Sequence, residues 1–191
     1  QKTAYEMRIS DWSSDVSSSV FCLLQNTNYK IFTRELVVRY MERALAYGML
    51  PSYFSNDGYT DRYFENPAYY ERDRDLFRTY VPLAIELATA GWQPVRTLVS
   101  CADESVFVEQ FGDRYATVFN SSVGQAKRVT LRSGRASAAE RVTGATCAFA
   151  DGVAVLEIPP ESVRLLDFGA VRDMVNNNSS MTEAILKRLD Q

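Results

Sequence analysis

The chain contains no histidine. That excludes Ser-His-Asp and Cys-His nucleophilic catalysis, His-ligated zinc and imidazole general bases. Proton transfer falls to the 24 Asp and Glu residues, with Lys, Tyr and Cys behind them. Two stretches set carboxylate or amide groups beside aromatic rings. One is Asp11-Trp12; the other is Tyr53-Phe54-Ser55-Asn56-Asp57-Gly58-Tyr59. Carboxylates and amides hydrogen-bond to hydroxyl groups, and a ring covers an apolar ligand face. Such a set suits a hydroxyl-rich ligand. The alternative use of the same residues is structural, with Asp11 and Asp57 as solvated turn residues and Trp12 in a core.

Other candidates point to structure. The run Glu71-Arg72-Asp73-Arg74-Asp75 alternates in sign at a helix start, where it makes surface ion pairs and favourable dipole contacts. Tyr59, Tyr63, Phe64, Tyr69 and Tyr70 form an aromatic-rich loop. That loop is either a stacking lid or a staple that packs it on the following helix. Cys22, Cys101 and Cys147 form no C-x-x-C pair, so three buried free thiols are expected. A Cys101–Cys147 disulfide is the alternative in an exported protein. No metal site and no cofactor are expected. Asn120-Ser121-Ser122 and Asn178-Ser179-Ser180 match the N-glycosylation pattern. Nucleotide-binding glycine motifs are absent.

Composition narrows the partners. A net charge of −3 provides no electrostatic footprint for nucleic acid. No apolar run approaches the ~20 residues that span a bilayer. A hydrophobic share of 46% in 191 residues suits a folded chain of one domain or slightly more.

The elements that position these residues fall into two halves. Residues 4–10 alternate like a short strand, and the apolar run at 20–25 reads as a short helix. Thr33 is placed as an N-cap. Leu36, Val37, Tyr40, Met41, Ala44 and Leu45 share a helix face, and Gly48 ends that helix. Residues 49–54 read as a buried parallel strand with Pro51 as a blemish. Asp73 is placed to cap a long helix with Leu76, Phe77, Tyr80, Val81, Ala84, Leu87 and Ala88 inward. Pro82 should kink or break it, and Gly91 should end it. The second half predicts seven strands, at 95–101, 106–111, 115–120, 126–132, 145–150, 153–158 and 162–168. Asp151-Gly152 signals a type I′ hairpin.

Several of these runs resemble a known family. Val106-Phe107-Val108-Glu109-Gln110-Phe111-Gly112 with Tyr115-Ala116-Thr117-Val118-Phe119-Asn120 is similar to the first C-terminal hairpin of TIM-barrel glycoside hydrolases. The run from Val153 through Ile158-Pro159-Pro160-Glu161 to Leu166 is similar to their closing strand pair. Tyr40-Met41-Glu42-Arg43-Ala44-Leu45-Ala46-Tyr47-Gly48 and Tyr63-Phe64-Glu65-Asn66-Pro67 resemble the run into the last barrel strand and its active-site loop.

The resemblance implies an α+β composite. Residues 1–92 would hold the last βα units of an incomplete α/β barrel. Residues 93–170 would form a C-terminal antiparallel β-sandwich, and residues 171–191 a tail with a short helix. It implies carbohydrate as ligand, with Asp11, Trp12, Tyr53, Phe54, Asn56, Asp57 and Tyr59 as substrate contacts. No complete pair of catalytic carboxylates is visible. A barrel takes about eight βα units, so the chain is expected to be a C-terminal piece lacking the earlier part of its barrel, inactive alone. Gln1 in place of Met fits that expectation. The second reading is a non-catalytic module that binds glycan or protein.

Overall fold

The computed structural model describes residues 21–55 and 63–169. The expected strand at 4–10 and the tail helix lie outside them. Among the described residues the fold is mixed α and β: two α-helices, one short 3-10 turn (Tyr63–Glu65) and a set of strands, most of them antiparallel. The chain divides into two compact units, 1–92 and 93–191.

The first unit is built on one parallel ladder. Strand β1 (Cys22–Thr27) runs beside β2 (Leu50–Ser55), in register from Cys22 opposite Leu50 to Thr27 opposite Ser55. The helix expected at 20–25 is therefore a strand. A short apolar run is ambiguous by period, and here pairing to a distant strand decides it. Parallel neighbours need a crossover, which helix α1 (Arg34–Ala46) supplies.

Thr33 occupies the N-cap of α1 in extended backbone, although its side chain makes no cap bond. Val37, Tyr40, Met41, Ala44 and Leu45 are buried, whereas Leu36 is exposed. The buried stripe thus follows the i, i+3, i+4, i+7 rule more closely than the sequence suggested. Past the helix end, Gly48 N–H donates to Leu45 C=O at 3.0 Å and Met49 N–H to Ala44 C=O at 2.9 Å. This is a Schellman close, which needs a left-handed residue; Gly48 supplies it at φ 62°.

Helix α2 (Pro67–Ala90) begins earlier than expected. Its cap is Asn66, whose Oδ1 accepts from Ala68 N–H at 3.0 Å, and Pro67 fills the first helical position. Asp73 lies within the helix and is fully buried. Pro82 does not break the helix, which runs as one element to Ala90. Gly91 closes it at φ 79°. Among the described residues no helix is long and apolar enough to cross a membrane.

The second unit has two antiparallel sheets. Its strands are β3 (Trp92–Gln93), β4 (Ser100–Cys101), β5 (Val106–Phe111), β6 (Tyr115–Asn120) and β7 (Lys127–Arg132). They continue with β8 (Ser137–Glu140), β9 (Thr146–Ala148), β10 (Val153–Ile158) and β11 (Val163–Asp167). One sheet has the order β3-β5-β6-β11-β8-β9, the other β10-β7-β4. Val106, Val108, Ala116, Val118 and Leu166 of the larger sheet share one core with Val129, Leu131, Ala154 and Ile158 of the smaller. Alternation along each strand produces that shared layer.

Two departures have physical causes. Strand β8 was not foreseen, because Ser-Ala-Ala-Glu lacks β-branched and aromatic residues; pairing to β9 and β11 holds it. The Asp151-Gly152 turn has both residues at positive φ, 51° and 77°, as a type I′ turn requires. Ala150 and Val153 exchange both backbone bonds at 2.9 Å. Yet the pairing stops at that bridge: β9 belongs to the larger sheet and β10 to the smaller. The turn passes the chain from one sheet to the other. All three cysteines are free, with Cys147 buried, Cys101 partly buried and Cys22 exposed. Exposure of Cys22 departs from the expectation of three buried thiols.

Candidate functional site

Strand alternation separates the two described site residues. On β2, Tyr53 turns to one face and Phe54 to the other. Phe54 is 47% exposed. The Tyr53 ring lies 5.1 Å from that of Tyr40 on α1, 4.9 Å from Tyr63, and 5.8 Å from both Phe32 and Phe77. Tyr29, just past the end of β1, adds an edge contact to Tyr63 at 5.3 Å. Strand, crossover helix and following helix thus meet in one aromatic cluster.

The hydroxyls in this cluster have distinct settings. Tyr40 Oη accepts from Ser52 N–H at 2.7 Å and reaches the Ser52 carbonyl at 2.9 Å and the Leu23 carbonyl. One phenol therefore ties α1 to the backbone of both parallel strands. Burial pushes its pKa up to about 12. Tyr63 Oη donates to Asp73 Oδ2 at 2.5 Å. Burial first, then that bond, holds Tyr63 in its neutral form. Tyr53 Oη is buried and has no hydrogen-bond partner among the described residues. Burial drives its pKa well above the ordinary phenol range.

Asp73 is the charged centre. Its Oδ1 accepts from Arg72 Nε at 2.8 Å and its Oδ2 from Arg72 Nη2 at 2.7 Å. Arg72 Nη2 also donates to Phe32 C=O at 3.0 Å. Arg34 lies 4.0 Å from Asp73 and forms a two-pronged pair with Asp75, at 2.9 and 2.5 Å. Bonding to Arg34 holds the Asp75 carboxyl below its usual range. Oδ1 accepts from Arg72 and Oδ2 from both Arg72 and Tyr63, so this carboxylate ties the helix to the aromatic cluster.

The charged run at 71–75 is thus only partly the surface feature the sequence suggested. Glu71 pairs with Arg74 at 2.5 Å and Asp75 with Arg34, both exposed, but Asp73 is fully buried. The aromatic loop resolves as well. Tyr63 is 3% exposed and stacks with Tyr69 at 6.1 Å, which is the staple arrangement. Phe64 is 45% exposed. Asp11, Trp12, Asn56, Asp57 and Tyr59 lie outside the described residues. Sequence reasoning missed Tyr29, Phe32, Tyr40 and Asp73 as one cluster. The dense aromatic content of residues 29–77 was the available signal.

In the second unit Asp167 is fully buried between Arg114 at 2.7 Å and Arg141 at 2.8 Å. Glu140 accepts from the backbone of Val142, Thr143 and Leu165. Ser105, Asp103 and Lys127 form a polar triad at a turn. Hydrogen bonds from Ser105, with Lys127 alongside, keep Asp103 ionised, which leaves it a weak base. Among the described residues no group of His, Cys, Asp and Glu is placed to hold a metal.

No protein-family model matches the chain, and no curated protein matches it. Solved structures that resemble it include an Anoxybacillus alpha-amylase, described as a new glycosyl hydrolase subclass, at 12% identity and a TM-score of 0.48. That likeness covers 85% of this chain and 41% of the amylase. A beta-galactosidase from Bacillus circulans sp. alkalophilus is 21% identical at a TM-score of 0.29, over 50% of this chain and 13% of that one. The chain spans less than half the length of either. At those TM-scores neither likeness carries weight for fold or function.

Proposed function

We propose that the chain is a C-terminal part of a glycoside-hydrolase-like, carbohydrate-active protein. Its parallel strand pair carries the ligand-facing loop, and its two-sheet unit is a stabilising accessory domain. The observation that carries this reading is the course of β2. The strand runs parallel to β1, exposes Phe54 at its carboxyl end, and leads directly into Asn56-Asp57-Gly58-Tyr59. In parallel α/β sheets, ligands bind where strands end and loops begin. An exposed ring beside an amide and a carboxylate suits a sugar, with the ring against the apolar face and polar groups on the hydroxyls. The strand–helix–strand–helix order followed by antiparallel sheets supports the same reading, as do the sequence runs quoted above.

Substrate contact falls to Phe54, Asn56, Asp57 and Tyr59, and to Asp11 and Trp12. Tyr53 supports from beneath, as the ring on which the strand end rests. The accessory role draws on β6, where all six residues are buried. Successive residues face opposite sides of a sheet, so a strand buried throughout is covered on both faces. Such a strand is scaffold, not a ligand surface. Inactivity in isolation draws on the carboxylates: Asp73, Asp167 and Glu140 are all engaged by Arg, Tyr or backbone donors.

Two assays on the purified chain test the proposal. Aryl glycosides should show no turnover, whereas electrophoresis through gels containing soluble polysaccharides should show retardation with at least one of them. Phe54→Ala and Asp57→Ala should each abolish that retardation. Turnover of an aryl glycoside would remove the accessory reading. Unretarded migration in every polysaccharide, or retardation unchanged by both substitutions, would remove the ligand-loop assignment.

A further inference from the structure

The acceptor pattern Asn120-Ser121-Ser122 has a consequence that is independent of any sugar ligand. Asn120 ends strand β6 and is 0% exposed. Its Nδ2 is the atom a glycan would occupy. That nitrogen donates to three carbonyls: Gln125 at 2.9 Å, Pro159 at 3.0 Å and Ile158 at 3.1 Å. Its Oδ1 accepts from Ser122 N–H at 3.0 Å. The side chain therefore clasps the end of β10 and the turn before β11 to the loop that leaves β6. Asn120 N–H donates to Ser162 C=O at 3.0 Å, and Glu161 N–H to Ser122 C=O at 3.2 Å, which closes the same junction from the backbone.

N-glycosylation forms a bond between Nδ2 and glycan C1 as the C1–O bond to a lipid-diphosphate sugar donor breaks; the diphosphate leaves, and one of the two Nδ2 hydrogens departs as a proton. Three carbonyls already share those two hydrogens; after modification they would share one. The attached sugar would also need space where Asn120 has no exposed surface. The Ile158 carbonyl is buried; stripping it of its donor, together with overpacking around a side chain with no exposed surface, opposes the fold.

We infer that glycosylation of Asn120 and folding of the second unit exclude each other. The sequon is a closed acceptor, and the chain reaches its fold only where Asn120 escapes the modification. Sequons are modified on chains that have not yet folded. The structure thus sets a condition on the compartment in which this chain can be made: one without N-glycosylation, or one in which folding outruns it.

The full chain can be assembled by ligation at Cys101 and Cys147, with the segment between them synthesised either plain or carrying one N-acetylglucosamine on Asn120. The plain chain should refold with a cooperative thermal transition and near-ultraviolet circular dichroism. The glycosylated chain should lose the part of both signals that the second unit contributes, while the aromatic cluster of the first unit keeps its own. A glycosylated chain that refolds with the midpoint of the plain one overturns the inference.

A second measurement uses secretion from a glycosylating eukaryotic host, in a background where Asn177→Gln and Asn178→Gln leave Asn120 as the sole acceptor. Ser122→Ala destroys the sequon but keeps the clasp, which uses the Ser122 backbone. It should raise the yield of folded protein, and glycan on Asn120 should be confined to the insoluble fraction. Soluble, cooperatively melting protein with Asn120 occupied would contradict the account.

Discussion

At the scale of single residues, Tyr53 and Asp73 define what the aromatic cluster does. Tyr53 Oη is buried with no partner among the described residues, and an unsatisfied buried polar group costs about 1–3 kcal/mol. Tyr53→Phe should therefore leave stability unchanged or raise it by about 1 kcal/mol in urea denaturation. A clear loss would show that the hydroxyl has a partner that matters. Asp73 behaves in the opposite way. Asp73→Asn strips the counter-charge from Arg72, whose side chain is 30% exposed. Removing one partner of a buried pair costs about 3–5 kcal/mol, and the solvent reaching Arg72 reduces this to about 2–3 kcal/mol. The same urea measurement checks it.

Tyr40 predicts the pH behaviour. Its folded pKa, about 12, lies above the ordinary value of 10.0. A raised folded pKa means the unfolded chain loses its proton first as pH rises. The contribution is complete below pH 10 and is lost between pH 10 and about 12. Alkaline titration followed at 295 nm should show part of the tyrosine signal arriving late, together with loss of helical circular dichroism. In Tyr40→Phe, which has no phenol to ionise, stability should already be lower below pH 10, and less of it should be lost between pH 10 and about 12.

At the scale of elements, local chemistry and pairing divide the work. Helix ends are written locally. Asn66→Ala should cost about 1 kcal/mol by loss of the cap. Gly48→Ala should cost about 1–2 kcal/mol because φ 62° forces Cβ into a left-handed residue. Calorimetry of the full chain measures both. What was legible in the sequence follows the same division. Gly48, Gly91 and the Asp151-Gly152 turn were readable because their conformations depend on a few neighbouring atoms. Alternation made β5, β6, β7, β10 and β11 readable to within about two residues.

Distant pairing was not readable. The run at 20–25 has too few residues to fix a period, and β2 decides its form. Strand β8 has a poor strand composition and exists because β9 and β11 flank it. Asp73 looked like a cap because it sits in a charged run, whereas Asn66, seven residues earlier and followed by Pro67, had the stronger capping chemistry. Its burial depends on Tyr63 and on Arg72 reaching Phe32, contacts that no local pattern encodes. The same limit applies to the site. Phe54 and the loop after it were identifiable as a strand end, but the cluster beneath joins residues from three elements. The distance between Tyr29 and Phe77 along the chain hides that meeting.

At the scale of the whole molecule, the account assigns different work to the two units. The parallel pair is the one we propose carries the ligand-facing strand end. The antiparallel sheets hold buried, fully bonded polar groups (Asn120, Glu140 and Asp167) that suit a rigid support. The most direct test is to map oligosaccharide binding residue by residue, by amide and aromatic chemical shifts in the labelled full chain. The account predicts saturable shifts at Phe54 and the residues that follow it, smaller ones at Tyr53, and none along β5, β6 and β11. Shifts confined to the second unit, or none with oligosaccharides cut from a polysaccharide that retards the chain in gels, would contradict it.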